Sequence, residues 1–114
     1  MGWFDVTARD AASARAFYGR LLGRDFHAVE GMDYAVADAG PAALPGGIGP
    51  SGGVHPPGLL LYLTVDDVAE SLAVAESTGG SAVVPPWSLP GLGAMAVAAD
   101  PEGNRVGLWT PSPV

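Results

Sequence analysis

The sequence predicts an α+β fold made of two βαβββ modules in succession. Three observations carry that prediction. Residues 3–8, WFDVTA, alternate in character, with Trp3, Asp5 and Thr7 on one side and Phe4, Val6 and Ala8 on the other, the period of a strand. A capped amphipathic helix follows and stops at a glycine. The same order then begins again: a shift of 57 residues lays Thr7 on Thr64, Asp10 on Asp67, Ala12 on Ala69, Ala16 on Ala73 and Gly23 on Gly80. The matched order of strand, cap, helix and stop reads as an internal duplication, with module one at about 1–53 and module two at about 58–110 of a single 114-residue domain.

Each element has a local reason. Asp10 stands at the N-cap position, and apolar residues at 14, 17, 18, 21 and 22 predict a buried helix face over Ala11–Leu22. Gly23 is the stop. FHAV (26–29) and YAVA (34–37) read as short strands around Glu30-Gly31-Met32-Asp33. Residues 40–58 are dense in glycine and proline and read as loop, with one short strand near Gly47–Gly49. LLLYLTV (59–65) opens the second module. Asp67 caps its helix with Glu70 as capping-box partner, Val68, Leu72 and Ala75 form the buried stripe, and Gly79-Gly80 ends it. SAVVP, AMAVA and RVGLW are the remaining strands, with Asp-Pro-Glu-Gly-Asn at 100–104 as the last turn.

Composition removes several function classes. Apolar residues make up 48%, enough for a core, but no run approaches the roughly 18 residues of a membrane span. Cysteine is absent, so disulfides, thiolate catalysis and Cys-type zinc sites are excluded. Net charge is −7, and four of the five arginines fall between Arg9 and Arg24. That distribution argues against nucleic acid and anionic membranes as partners. The arginine cluster reads as a solvated helix face, with an anion patch as the alternative. No basic-then-apolar leader opens the chain, so a cytoplasmic location is expected. The glycines at 46–53 precede no Lys-Ser/Thr pair and make no phosphate loop. His27 and His55 form no motif.

The segments FDVTARDAASARAFYGRLLG, LYLTVDDVAESLAVAESTGG and VPPWSLPGLGAMAVAADPEGNRVGLW resemble the vicinal oxygen chelate superfamily, also called the glyoxalase / bleomycin-resistance / dioxygenase fold. The last is most similar to an antigen-type glyoxalase-like subgroup, with Ala94 where that subgroup often has arginine. The resemblance implies cupped mixed sheets facing each other around a pocket, and a homodimer. It also implies where metal-dependent members carry their ligands: Trp3, Leu60, Gly107 and, by the same 57-residue shift, Pro50. None of these side chains binds a divalent ion, so no metal and no other cofactor is expected. Gly107 then reads as a vacated ligand position that enlarges the pocket, which Gly107→Leu would fill without harm to the fold, or as a bulge or bend.

Polar and aromatic groups beside those positions are the candidate site. Asp5 shares a strand face with Trp3, and Tyr62 is its repeat partner; these two are the catalytic candidates. Trp3, Leu60, Trp87, Arg105, Gly107 and Trp109 are the ligand-binding candidates, with Arg105 suited to an anionic oxygen. Alternatives stand beside these roles: Asp5 as a salt-bridge partner of Arg105 or an exposed strand residue, Trp3 as core, Trp87 as loop packing. Glu30, Asp33 and Asp38 read as solvated, or as an acidic rim suited to a cationic drug. The expected function is metal-independent binding of a planar aromatic or natural-product-like small molecule in a dimer cleft, for drug sequestration or secondary metabolism. The alternative is an enzyme of lyase, isomerase or dioxygenase type, using acid–base residues or a displaced metal site.

Overall fold

The structure is a computed structural model that describes residues 2–31, 33–37, 45–52 and 55–112. Asp38 lies outside the described residues. The chain divides into two compact units, Trp3–Leu59 and Leu60–Val114 with Met1–Gly2.

The first unit contains β1 (Gly2–Ala8), α1 (Ala11–Leu22), β2 (His27–Ala28), β3 (Ala35–Ala37) and β4 (Gly46–Pro50). Its strands run in the order β2-β3-β4-β1, with β1 and β4 parallel and the other pairs antiparallel. The Asp10 carboxylate accepts a hydrogen bond from the Ser13 amide at 3.0 Å, and Gly23 closes α1 in the left-handed conformation with φ 63°. Val6, Ile48 and Ala35 sit side by side across three strands and are buried.

α1 departs from its expected packing. It lies against β4, yet Phe17, Leu21 and Leu22 are exposed, and none of its residues is fully buried. Ala14 and Tyr18 alone of the expected face are half-buried. The Ala14–Tyr18 line of the helix is the partly covered one, and the line of Phe17 and Leu21 is left open.

Glycines in β4 have a packing reason. A side chain at Gly46 would run into the Phe4 ring. Phe4 is met edge-on by Phe26, and the Arg24 guanidinium lies 5.8 Å over its centroid while donating to the Ala37 carbonyl at 3.1 Å. One member of the arginine cluster is therefore structural. Arg15 and Arg20 are exposed.

The second unit carries β5 (Gly58–Thr64, its first two residues at the unit boundary), α2 (Val68–Ser77), β6 (Ser81–Leu89), β7 (Gly93–Ala99) and β8 (Arg105–Pro111). Strand order is β5-β8-β7-β6, with β5 and β8 parallel. The Asp67 carboxylate accepts from the Ala69 and Glu70 amides. Val68 and Leu72 of α2 pack on Ala96, Ala98 and Leu108, with Ala75 beside them, as the sequence stripe predicts. The final turn is held by Asp100, whose carboxylate accepts from the Asn104 side chain and from the Asn104 and Glu102 amides. β6 runs on past Pro85 and Pro86, beyond the SAVVP segment. It is the last strand of its sheet, where prolines are tolerated, and the second of its two register shifts, between Val84 and Trp87, spans them.

Strand register corrects one equivalence. Asp5 lies opposite Gly47, and Tyr62 lies opposite Gly107. Asp5 and Tyr62 are repeat partners, so Gly47, not Pro50, matches Gly107. The two modules differ in the length of chain before their last strand, and a constant shift fails there.

Candidate functional site

In the first unit the face opposite Val6 and Ile48 carries Trp3, Asp5 and Thr7 of β1 and Gly47 and Gly49 of β4, by strand alternation. Tyr34, just before β3, lies across those glycines. A side chain at Gly47 would overlap the Tyr34 hydroxyl end, and one at Gly49 would come within 2.9 Å of its ring. The glycines are thus a seat for a tyrosine. The seated phenol donates to Asp5 Oδ1 at 2.5 Å and accepts from the Trp3 indole N–H at 3.1 Å. Trp3 is itself buried.

Burial pushes the Asp5 carboxyl above its ordinary pKa, opposed by the Tyr34 hydrogen bond and by the nearby charge of His55. His55 reaches this position because the chain turns back on itself, with Gly52 and His55 exchanging backbone hydrogen bonds, and Thr7 Oγ1 ties down the Pro56 carbonyl at 2.7 Å. A stability prediction follows. The folded protein holds the Asp5 proton more tightly than the unfolded chain does. Stability is therefore intact below the unfolded pKa and declines as pH rises through the folded one. Asp5→Asn keeps an oxygen for Tyr34 and removes the charge. Its melting temperature should exceed the parent's at pH 7, with the gain vanishing in acid, as thermal melts across pH 3–8 will show. A gain that is independent of pH would contradict this account.

In the second unit, α2 covers the Leu108 face of the sheet. The other face carries Tyr62, Trp87, Met95, Val97, Gly107 and Trp109 by register. Tyr62, Met95 and Val97 are buried. Tyr62 and Trp87 meet edge-to-face at 6.4 Å between centroids, a favoured aromatic geometry. The Trp109 indole N–H is used by the Leu92 carbonyl at 2.8 Å. Leu60 is half-buried and Arg105, at the start of β8, is exposed.

The reading of Gly107 as an open enlargement is corrected. The volume a side chain would take there is filled by the Tyr62 ring. Each module therefore places a tyrosine ring over a glycine of its last strand, Tyr34 over Gly47 and Tyr62 over Gly107. Tyr34 was not among the sequence candidates. Its only signal was a tyrosine followed, a dozen residues on, by alternating glycines, and that signal has meaning only once the β1–β4–β3 register is known.

The four positions implied for metal ligands, Trp3, Leu60, Gly107 and now Gly47, offer no carboxylate, imidazole or thiolate. Among the described residues no three His, Asp or Glu side chains gather where an ion would fit. This donor set does not suit a resident divalent metal.

This arrangement of two βαβββ units, each with a helix on one sheet face and an aromatic-bearing opposite face, defines a family. The model of the Glyoxalase/Bleomycin resistance protein/Dioxygenase superfamily matches residues 1–108, and the chain belongs to that superfamily. A protein of Mycobacterium tuberculosis and one of Mycobacterium bovis, both named "Putative glyoxylase CFP32", are 30% identical over 114 residues. The match takes in 97% of this chain but 44% of theirs, so the chain spans less than half the length of these relatives. Among solved structures, methylmalonyl-CoA epimerase from Mycobacterium tuberculosis superposes with a TM-score of 0.69 at 18% identity, over 98% of this chain and 86% of its own. A Legionella pneumophila structure described as an NAD-dependent benzaldehyde dehydrogenase gives 0.71 at 18% identity, over 98% and 100%. At that identity the likeness establishes the fold. No helix among the described residues is long and apolar enough to cross a membrane.

Proposed function

We propose that this protein is a metal-independent small-molecule-binding member of its superfamily, taking a planar aromatic or natural-product-like ligand for drug sequestration or secondary metabolism in the cytoplasm. The observation that carries this reading is the helix-free face of the second module. There Tyr62 and Trp87 form an edge-to-face pair beside Met95 and Val97, and ligand-type positions hold no metal donor. Aromatic walls with few polar groups are the usual make-up of a small-molecule site. Asp5 and Tyr62 remain the candidates for chemistry, and Trp3, Leu60, Trp87, Arg105, Gly107 and Trp109 the candidates for ligand contact. A second reading, acid–base catalysis, is favoured by one observation: the half-buried Asp5 carboxyl shares a short hydrogen bond with a phenol.

A homodimer is part of the proposal. Phe17, Leu21 and Leu22 of α1 and Leu59, Leu61 and Leu63 of β5 are large apolar side chains left exposed, the kind of surface that a second subunit would cover. Sedimentation at micromolar concentration should give twice the chain mass, and a persistent monomer would reject the dimer. For the ligand, planar aromatic natural products should quench tryptophan emission in protein dialysed free of metal. Binding that appears only when a divalent ion is restored would overturn the metal-independent reading.

A further inference from the structure

We infer that Asp5 recognises a hydrogen-bond-donating group on the ligand, an amine or a hydroxyl, and that Tyr34 and Trp3 are the positioning residues that aim its carboxylate. The inference rests on the small-molecule reading above and concerns the first unit's own face, where Asp5, Tyr34 and Trp3 lie together. A carboxylate accepts through two oxygens and donates nothing when ionised. Oδ1 of Asp5 takes the Tyr34 hydroxyl. Among the described residues no hydrogen bond reaches Oδ2, yet none of their buried side-chain oxygens lacks a partner, so Oδ2 is open to an incoming group.

The surroundings fix this geometry. A phenol oxygen carries one hydrogen. Because Trp3 donates to that oxygen, the Tyr34 hydrogen is directed to Asp5. Gly47 and Gly49 make room for the ring in this position, since a side chain at either would meet it. Burial has taken water from the carboxylate, and His55 and Tyr34 offset that loss only in part. A second donor at Oδ2 would complete the offset, and a cationic donor most of all. A carboxylate or other anion on the ligand would meet repulsion there.

The test uses four probes with one ring system: 2-methylnaphthalene, 2-naphthylmethanol, 2-naphthylmethylamine and 2-naphthoate, titrated calorimetrically. The amine and the alcohol should bind about tenfold tighter than the methyl compound or more, a charge-assisted hydrogen bond's usual contribution, with naphthoate weakest. Asp5→Asn should erase the amine's advantage and leave 2-methylnaphthalene unchanged. Tyr34→Phe should shrink that advantage, because the carboxylate loses its tether, again with the methyl compound unaffected. Should Asp5→Asn not fold, Asp5→Ser provides the same comparison. An amine advantage that survives removal of the carboxylate, or naphthoate binding tightest, overturns the inference while small-molecule binding stands. If none of the four binds, both readings fall.

Discussion

Gly107→Leu should destabilise the protein strongly rather than plug a pocket. The new Cβ would enter the Tyr62 ring near its base, and Tyr62 is 2% exposed with Trp87 against its edge. The overlap begins at the root of the ring and Trp87 stands against its edge, so the strand or the ring must move. Overpacking of this kind costs about 1–3 kcal/mol, and a leucine belongs at the upper end. For a domain of this size that is a fall of several degrees or more in melting temperature. Adding Tyr62→Ala to Gly107→Leu should recover part of the loss, since the added volume then replaces the removed ring. Urea denaturation of the two single variants and the double variant measures this. A Gly107→Leu protein as stable as the parent would show that the ring does not occupy that volume.

Gly47→Val should unseat Tyr34. Its Cβ would collide with the hydroxyl end of the ring, which is held by Trp3 and Asp5 rather than free to swing. Displacement would break both hydrogen bonds at once and leave Asp5 Oδ1 without its donor. The steric cost of about 1–3 kcal/mol is joined by about 1–3 kcal/mol for an unsatisfied acceptor. Water reaching the half-buried carboxylate reduces the second figure. Tyr34→Phe removes the same hydrogen bonds without the clash. Combining Gly47→Val with Tyr34→Phe should therefore cost less than the sum of the two, and strict additivity would show that Gly47 does not act through Tyr34.

Local signals in the chain were faithful guides to local structure. Asp10, Gly23 and Asp67 mark the helix ends where the structure has them, and the Val68–Leu72–Ala75 stripe packs as its spacing implies. The alternation of β1 placed Trp3 and Asp5 on one face, and both reach the Tyr34 hydroxyl there. What escaped was decided at long range. The strand Gly46–Pro50 has almost no intrinsic strand preference, and its glycines answer to Phe4 and Tyr34, distant in sequence. The helix face at 14, 17, 18, 21 and 22 was plain in its periodicity. How much of it is covered depended on where the helix meets β4, which no helical spacing reveals. The phenol beside Asp5 is Tyr34 because of how β3, β4 and β1 pair, and the repeat alignment, which sets Tyr62 against Asp5, carried no signal for Tyr34.

The tyrosine-over-glycine arrangement also constrains how this chain can change. A carboxylate introduced at Gly107, the position that the family resemblance implies for a metal ligand, would meet the Tyr62 ring. A ligand introduced at Gly47 would likewise meet Tyr34, which lies across it. Each glycine is thus locked to its tyrosine, and substitution at either position alone passes through a less stable protein. Any path from this chain to a metal centre must shrink the ring before it installs the donor, and must do so twice if both modules are to contribute.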